Sequence, residues 1–171
     1  FLKILKQNKP HQRYLDVEFI IRYFTISDNI VKDSDGDIYL DGYKGKLVQY
    51  LNEYMDVHKN CTLEEKQNYK DRFNSTIKKV VTVFGYDKAF RDISTGNTKI
   101  YKTIADFVMP SLERMSEQYV ENNKELIYSR LATFLMNDDI QESLSKRTSD
   151  KDIVNLRLKM WFKEFEDVIS L

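Results

Sequence analysis

Cysteine, histidine, proline and glycine are all scarce in this chain of 171 residues, which has one Cys, two His, two Pro and five Gly. The single Cys61 cannot form an internal disulfide, which fits a reducing, cytoplasmic compartment. Its neighbours Asn60 and Thr62 suit a bland, partly exposed thiol. One cysteine with His11 and His58 gives no paired ligand spacing for zinc, and the same shortage argues against a histidine-based hydrolase or an HNH-type nuclease within this chain. Few glycines and prolines leave long helices uninterrupted, because both residues disfavour helix interiors. No run approaches the roughly 18 apolar residues of a membrane span, and no targeting segment is visible. Net charge is missing too: 27 basic and 27 acidic residues balance. That balance does not predict wholesale adhesion to nucleic acid or membrane but leaves room for a local patch. The chain begins at Phe1 without an initiator methionine, and we read it as one domain, 1–171, cut from a larger multidomain protein.

Aromatic residues, by contrast, make up 13% of the chain, enough with the aliphatics to fill a core. The segment from Tyr14 to Ile26 is apolar almost all round, the mark of a central, buried helix. Glu18 and Arg22 lie four apart along it in the acid-first order that favours pairing, and the helix should fade at Ser27-Asp28-Asn29. From Val31 to Gly42 the chemistry changes. Asp33 to Asp37 reads as a turn, with Ile38-Tyr39-Leu40 as a short strand after it, so a small hairpin or extended loop is expected near 31–42.

Helical spacing returns over Tyr43 to His58, with Leu47, Tyr50, Leu51 and Tyr54 or Met55 on one stripe. Thr62 and Glu65 form a capping box for the next helix, which aligns Tyr69, Phe73, Ile77, Val80 or Val81 and Phe84 and should stop at Gly85. A further helix runs through Ile100, Ile104, Phe107 or Val108, Leu112, Met115 and Tyr119, and Pro110 within it predicts a kink or a split. Asn122 to Met136 is another amphipathic stretch. The last helix should start at Ser149, with Asp152 three residues on, and bury Val154, Trp161, Phe165 and Val168. No repeat of 20–50 residues is evident. The fold class is mainly α, an irregular bundle of about six to eight helices.

Chemistry-bearing motifs are few. Asp33, Asp35, Asp37 and Asp41 have the alternate spacing of a calcium loop, but such a loop needs glycine sixth and glutamate twelfth. Ile38 and Lys44 stand there, so the segment reads as a solvated acidic turn. Gly42-Tyr43-Lys44-Gly45-Lys46 lacks the spacing and the Ser/Thr of a phosphate-binding loop, and no Gly-x-Ser-x-Gly elbow occurs. No catalytic, cofactor-binding or metal-ligating residue is therefore assigned. Lys3, Lys6, Lys9 and Arg13 form an acid-free basic run that reads first as solvated and second as a DNA phosphate contact. Arg13, Asp16, Glu18 and Arg22 cluster at the head of the most hydrophobic helix, and Arg91 follows the Phe84-Gly85 stop. Internal ion pairing is their leading reading, because an unpaired buried charge costs several kcal/mol. The alternative is that Arg13, Arg22 or Arg91 faces a partner domain or a phosphate.

A series of blocks in fixed order carries a family likeness. They are Arg13-x-x-Asp16-x-Glu18-x-x-x-Arg22-Tyr23-Phe24, then Tyr43-x-Gly45-Lys46 running into Leu51-Asn52-Glu53-Tyr54-Met55. Phe84-Gly85-x-x-x-Ala89-Phe90-Arg91 follows, then Asn137-Asp138-Asp139, a Thr148-Ser149 turn, and Val154-x-x-Arg157. Over nearly the whole chain this resembles the helical C-terminal part of the ParB/sulfiredoxin-like domain at the N-terminus of GmrSD-type type IV restriction endonucleases. The resemblance implies a bacterial or archaeal anti-phage protein that cuts modified DNA, with nucleotide hydrolysis in the ParB-like half. The family's Asp-Gly-Gln-Gln-Arg motif is absent here and would lie upstream, and an HNH nuclease domain would lie beyond Leu171. No family catalytic residue is carried onto this chain, and any nucleotide or divalent metal would belong to the parent protein. Homodimerisation and DNA contact through the parent are expectations of the same kind. The reading from another class is a free-standing helical protein–protein interaction module with no nucleic-acid role.

Overall fold

The computed structural model describes residues 1–10, 14–169 and 171. Among these it contains seven helices and one two-stranded antiparallel sheet. Helix α1 spans Leu15–Asn29, and strands β1 (Ile30–Lys32) and β2 (Ile38–Leu40) follow it directly. The strands pair Ile30 with Leu40 and Lys32 with Ile38, so the expected hairpin is present. Its turn is built by Asp33, whose Oδ1 accepts the backbone N–H groups of Asp35 (3.0 Å) and Asp37 (2.8 Å). The hairpin is anchored at its far side, where Asn155 Oδ1 accepts the Leu40 N–H.

Helix α2 (Leu47–His58) begins later than the sequence suggests, because Tyr43 is used as an anchor instead of a helical residue. Tyr43 is buried and its hydroxyl donates to the Ser149 carbonyl. Gly45 then turns the chain at φ 79°, a left-handed value that glycine tolerates. Helix α3 (Leu63–Lys88) opens with the complete Thr62–Glu65 capping box, and its backbone leaves helical geometry at Gly85 (φ 63°, ψ −174°) as expected. Its buried residues include Ile77, Val80 and Phe84 from the aromatic–aliphatic stripe.

Helix α4 (Lys102–Arg114) runs through Pro110 without a split. The break falls instead at Met115 (φ −83°, ψ 144°), where Ser116 accepts the Tyr119 N–H and starts α5 (Glu117–Leu135). Tyr119 therefore belongs to α5. A serine able to cap a new helix decides the boundary, not the proline upstream. Within α5 the backbone departs from helix at Asn123, whose side-chain amide donates to the Tyr119 carbonyl and so competes with the main chain. Helix α6 (Asp138–Ser143) is capped by Asn137, and α7 (Lys151–Lys163) starts one residue after its N-cap Asp150, not with Ser149 as its cap.

Burial also reassigns the central helix. Ten consecutive residues of α4, Thr103 to Leu112, are buried, and α4 packs against α1, α3 and α7. Helix α1 buries Phe19, Tyr23, Phe24 and Ile26 but leaves Val17 40% exposed and Ile20 and Ile21 only half-buried. Apolar count alone pointed to α1. Two of the polar residues buried on α4, Asp106 and Ser111, find partners inside: Ser111 Oγ accepts the Trp161 indole N–H at 2.8 Å and donates to the Val108 carbonyl. Around that bond Trp161 contacts Phe107, Phe134 and Phe165, with ring centroids 5.1–5.4 Å apart. Val154, Trp161 and Phe165 of the last segment are buried as expected, while Val168 is half-buried.

Candidate functional site

The polar centre of the molecule lies where α1 meets α4. Each helix offers two charged side chains one turn apart, Glu18 and Arg22 on α1, Lys102 and Asp106 on α4. They assemble as a crossed ladder. Arg22 holds Asp106 with both arms of its fork, Nε donating to Oδ1 at 2.9 Å and Nη2 to Oδ2. Its remaining nitrogen lies 3.7 Å from Glu18, and Lys102 closes the ladder onto the same Glu18. Bidentate geometry of this kind combines directional hydrogen bonds with charge neutralisation. Burial opposes the guanidinium's charge, but the attraction and hydrogen bonds of Asp106 outweigh it and hold the Arg22 pKa above its ordinary value. Nearby Tyr43 is pushed up, first by burial and against the lowering influence of Arg22 and Arg157.

Two buried arginines, Arg91 and Arg157, bind main-chain carbonyls instead. Arg91, 3% exposed, donates from Nε to Thr98, from Nη1 to Tyr86 and Ala89, and from Nη2 to Ile4. It thus ties the N-terminal segment to the loop that leads into α4. Arg157, 2% exposed, donates to Ser143 (2.8 Å) and Thr148 (2.7 Å) and closes the carbonyl end of α6. Burial lowers the pKa of both below the usual arginine value, with Asp106 opposing the shift at Arg157 and Asp87 at Arg91. Lys79 plays the same part for α4, giving its ammonium protons to the carbonyls of Leu112, Glu113 and Met115. Cations at carbonyl ends of helices complement both the orphan acceptors and the helix dipole.

The remaining sequence candidates fall outside this centre. Asp16 is buried on α1 and is a partnered group. Arg13 lies outside the described residues. Lys3 sits 5.6 Å above the Tyr86 ring and Lys6 lies 3.8 Å from Asp87, so both are laid along the end of α3, while Lys9 is exposed. In the acidic turn, Asp33 serves its own backbone and Asp37 pairs with Lys159 at 2.5 Å. Among the described residues, no group of three or more His, Cys, Asp or Glu is arranged to hold a metal ion. No helix among them is long and apolar enough to cross a membrane.

Sequence reasoning missed Asp106, Lys79, Asp92 and Arg72. Asp92 is 3% exposed, yet it accepts hydrogen bonds from the Ser94 amide and hydroxyl, the Thr95 hydroxyl and Gln141. Burial pushes its pKa up, but those bonds together outweigh burial and leave it lowered. Arg72 joins Asp28 (2.5 Å) to Glu113 (2.7 Å) beneath the rings of Phe24 and Tyr69. The Asp92-x-Ser94-Thr95 spacing is a readable local signal, whereas Arg72 and Asp106 meet partners too far along the chain to be inferred.

One surface contrasts with this inward-turned chemistry. Ile20, Ile21 and Phe24 of α1, Tyr54 and Met55 of α2, and Tyr69 of α3 line an open apolar groove with Cys61 at its rim. Val17, one turn earlier on α1, is 40% exposed, and Leu63, at the start of α3, is 85% exposed. The polar groups near the groove are engaged with one another: the Tyr69 hydroxyl is 3.0 Å from His58 Nδ1, and the Tyr54 hydroxyl donates to Asp28. The Cys61 thiol donates to the His58 carbonyl.

No family model, curated protein or solved structure matches the chain.

Proposed function

We propose that this chain is the non-catalytic helical subdomain of a GmrSD-like restriction or anti-phage defence protein. In this reading it acts in the cytoplasm by packing its α1–α2 groove against a ParB-like, nucleotide-hydrolysing core. The observation that carries the reading is that groove. A helix as apolar as α1 normally has its whole circumference covered, and a contiguous exposed apolar surface marks a place where something docks. The ordered sequence blocks supply the identity of the partner. The buried arginines support the non-catalytic part, because Arg22, Arg91 and Arg157 are each committed to internal carboxylates or carbonyls. DNA, nucleotide and any divalent metal would engage the parent protein and its nuclease domain.

The test begins with the reading frame on either side of this segment in its source gene. An Asp-Gly-Gln-Gln-Arg motif upstream in frame is expected. The upstream half, produced separately, should then bind this chain, and Ile21→Asp should abolish binding without lowering the melting temperature. A frame that opens near Phe1 and closes near Leu171 would overturn the proposal in favour of a free-standing adaptor.

A further inference from the structure

We draw no further inference here: the strongest candidate, the open apolar groove between α1 and α2 with Ile20, Ile21 and Met55 on its walls, carries nothing beyond the docking role already proposed, because nothing in the structure shows what covers it.

Discussion

Replacing Asp106 by leucine should be among the most damaging single changes in this protein, and the structure says by how much. The substitution puts an apolar side chain at the α1–α4 contact but leaves the Arg22 guanidinium buried, with Glu18 3.7 Å away. Removing one partner of a buried pair typically costs about 3–5 kcal/mol, since the surviving charge stays desolvated without compensation. For a domain of this length each kcal/mol moves Tm by roughly 2–4 °C, so the melting point should fall by about 6–20 °C. The double replacement Arg22→Met with Asp106→Leu should behave differently. It removes both charges together, and buried pairs often lose little when exchanged for apolar side chains of similar size. We expect it to lie within about 2 kcal/mol of the unmodified protein, which makes the coupling between the two sites at least about 1–3 kcal/mol. Urea unfolding followed by far-UV circular dichroism measures all four members of the cycle. If Asp106→Leu costs less than about 1 kcal/mol, or if the double variant shows the sum of the two single losses, the pair is not the buried unit described here.

The remaining expectations concern the clamps and the backbone. Arg91→Lys should destabilise by at least about 2 kcal/mol, because an ammonium cannot reproduce a planar fork that serves four carbonyls and each charge-assisted bond contributes about 1.5–3 kcal/mol. A melting temperature unchanged in Arg91→Lys would instead return Arg91 to the role of a surface residue. Gly85→Ala meets no atom within 4 Å, so its whole cost is conformational, about 1–3 kcal/mol for a backbone region closed to side chains; a neutral result by thermal melting would mean the chain relaxes back to helix there. Thr62→Ala should cost about 1 kcal/mol by loss of the capping box and raise hydrogen exchange in the first turn of α3. Asp92, whose folded pKa is lowered, contributes stability that is present above its unfolded value near 3.8 and is lost as pH falls through the folded value. Asp92→Asn should therefore be destabilised at neutral pH, with the gap to the parent protein starting to close only as pH falls below about 3.8, as read from acid titrations of Tm.

Local chemistry was legible in the sequence wherever the deciding residues are neighbours. The Thr62 cap, the Gly85 stop, the acidic turn of the hairpin and the stripe of α3 all depend on spacings of five residues or fewer, and each appears where expected. Pro110 shows the limit of such reasoning. Its helix stays unbroken because burial on every side fixes that segment, and the chain reserves its break for the capping serine six residues later. The Arg22–Glu18 contact was readable, but the stronger bond to Asp106 spans 84 residues and follows from the packing of α1 on α4. Arg91 stood out as a charged residue after a helix stop. Its actual partners are carbonyls, and carbonyls leave no trace in a residue pattern.

Lys79, Arg91 and Arg157 also determine how the molecule can come apart. The last carbonyls of α4 are held from α3, those of α6 from α7, and the N-terminal segment from the loop before α4. An isolated helix frays from its ends, but here each of these ends is fastened by a residue from another part of the chain. Opening one turn of α4 at its carbonyl end therefore means breaking all three Lys79 hydrogen bonds or moving α3 with it. Amide protons there should exchange only when the whole domain opens. Peptides cut from α4 or α6 alone should show little of the helix seen in the intact chain.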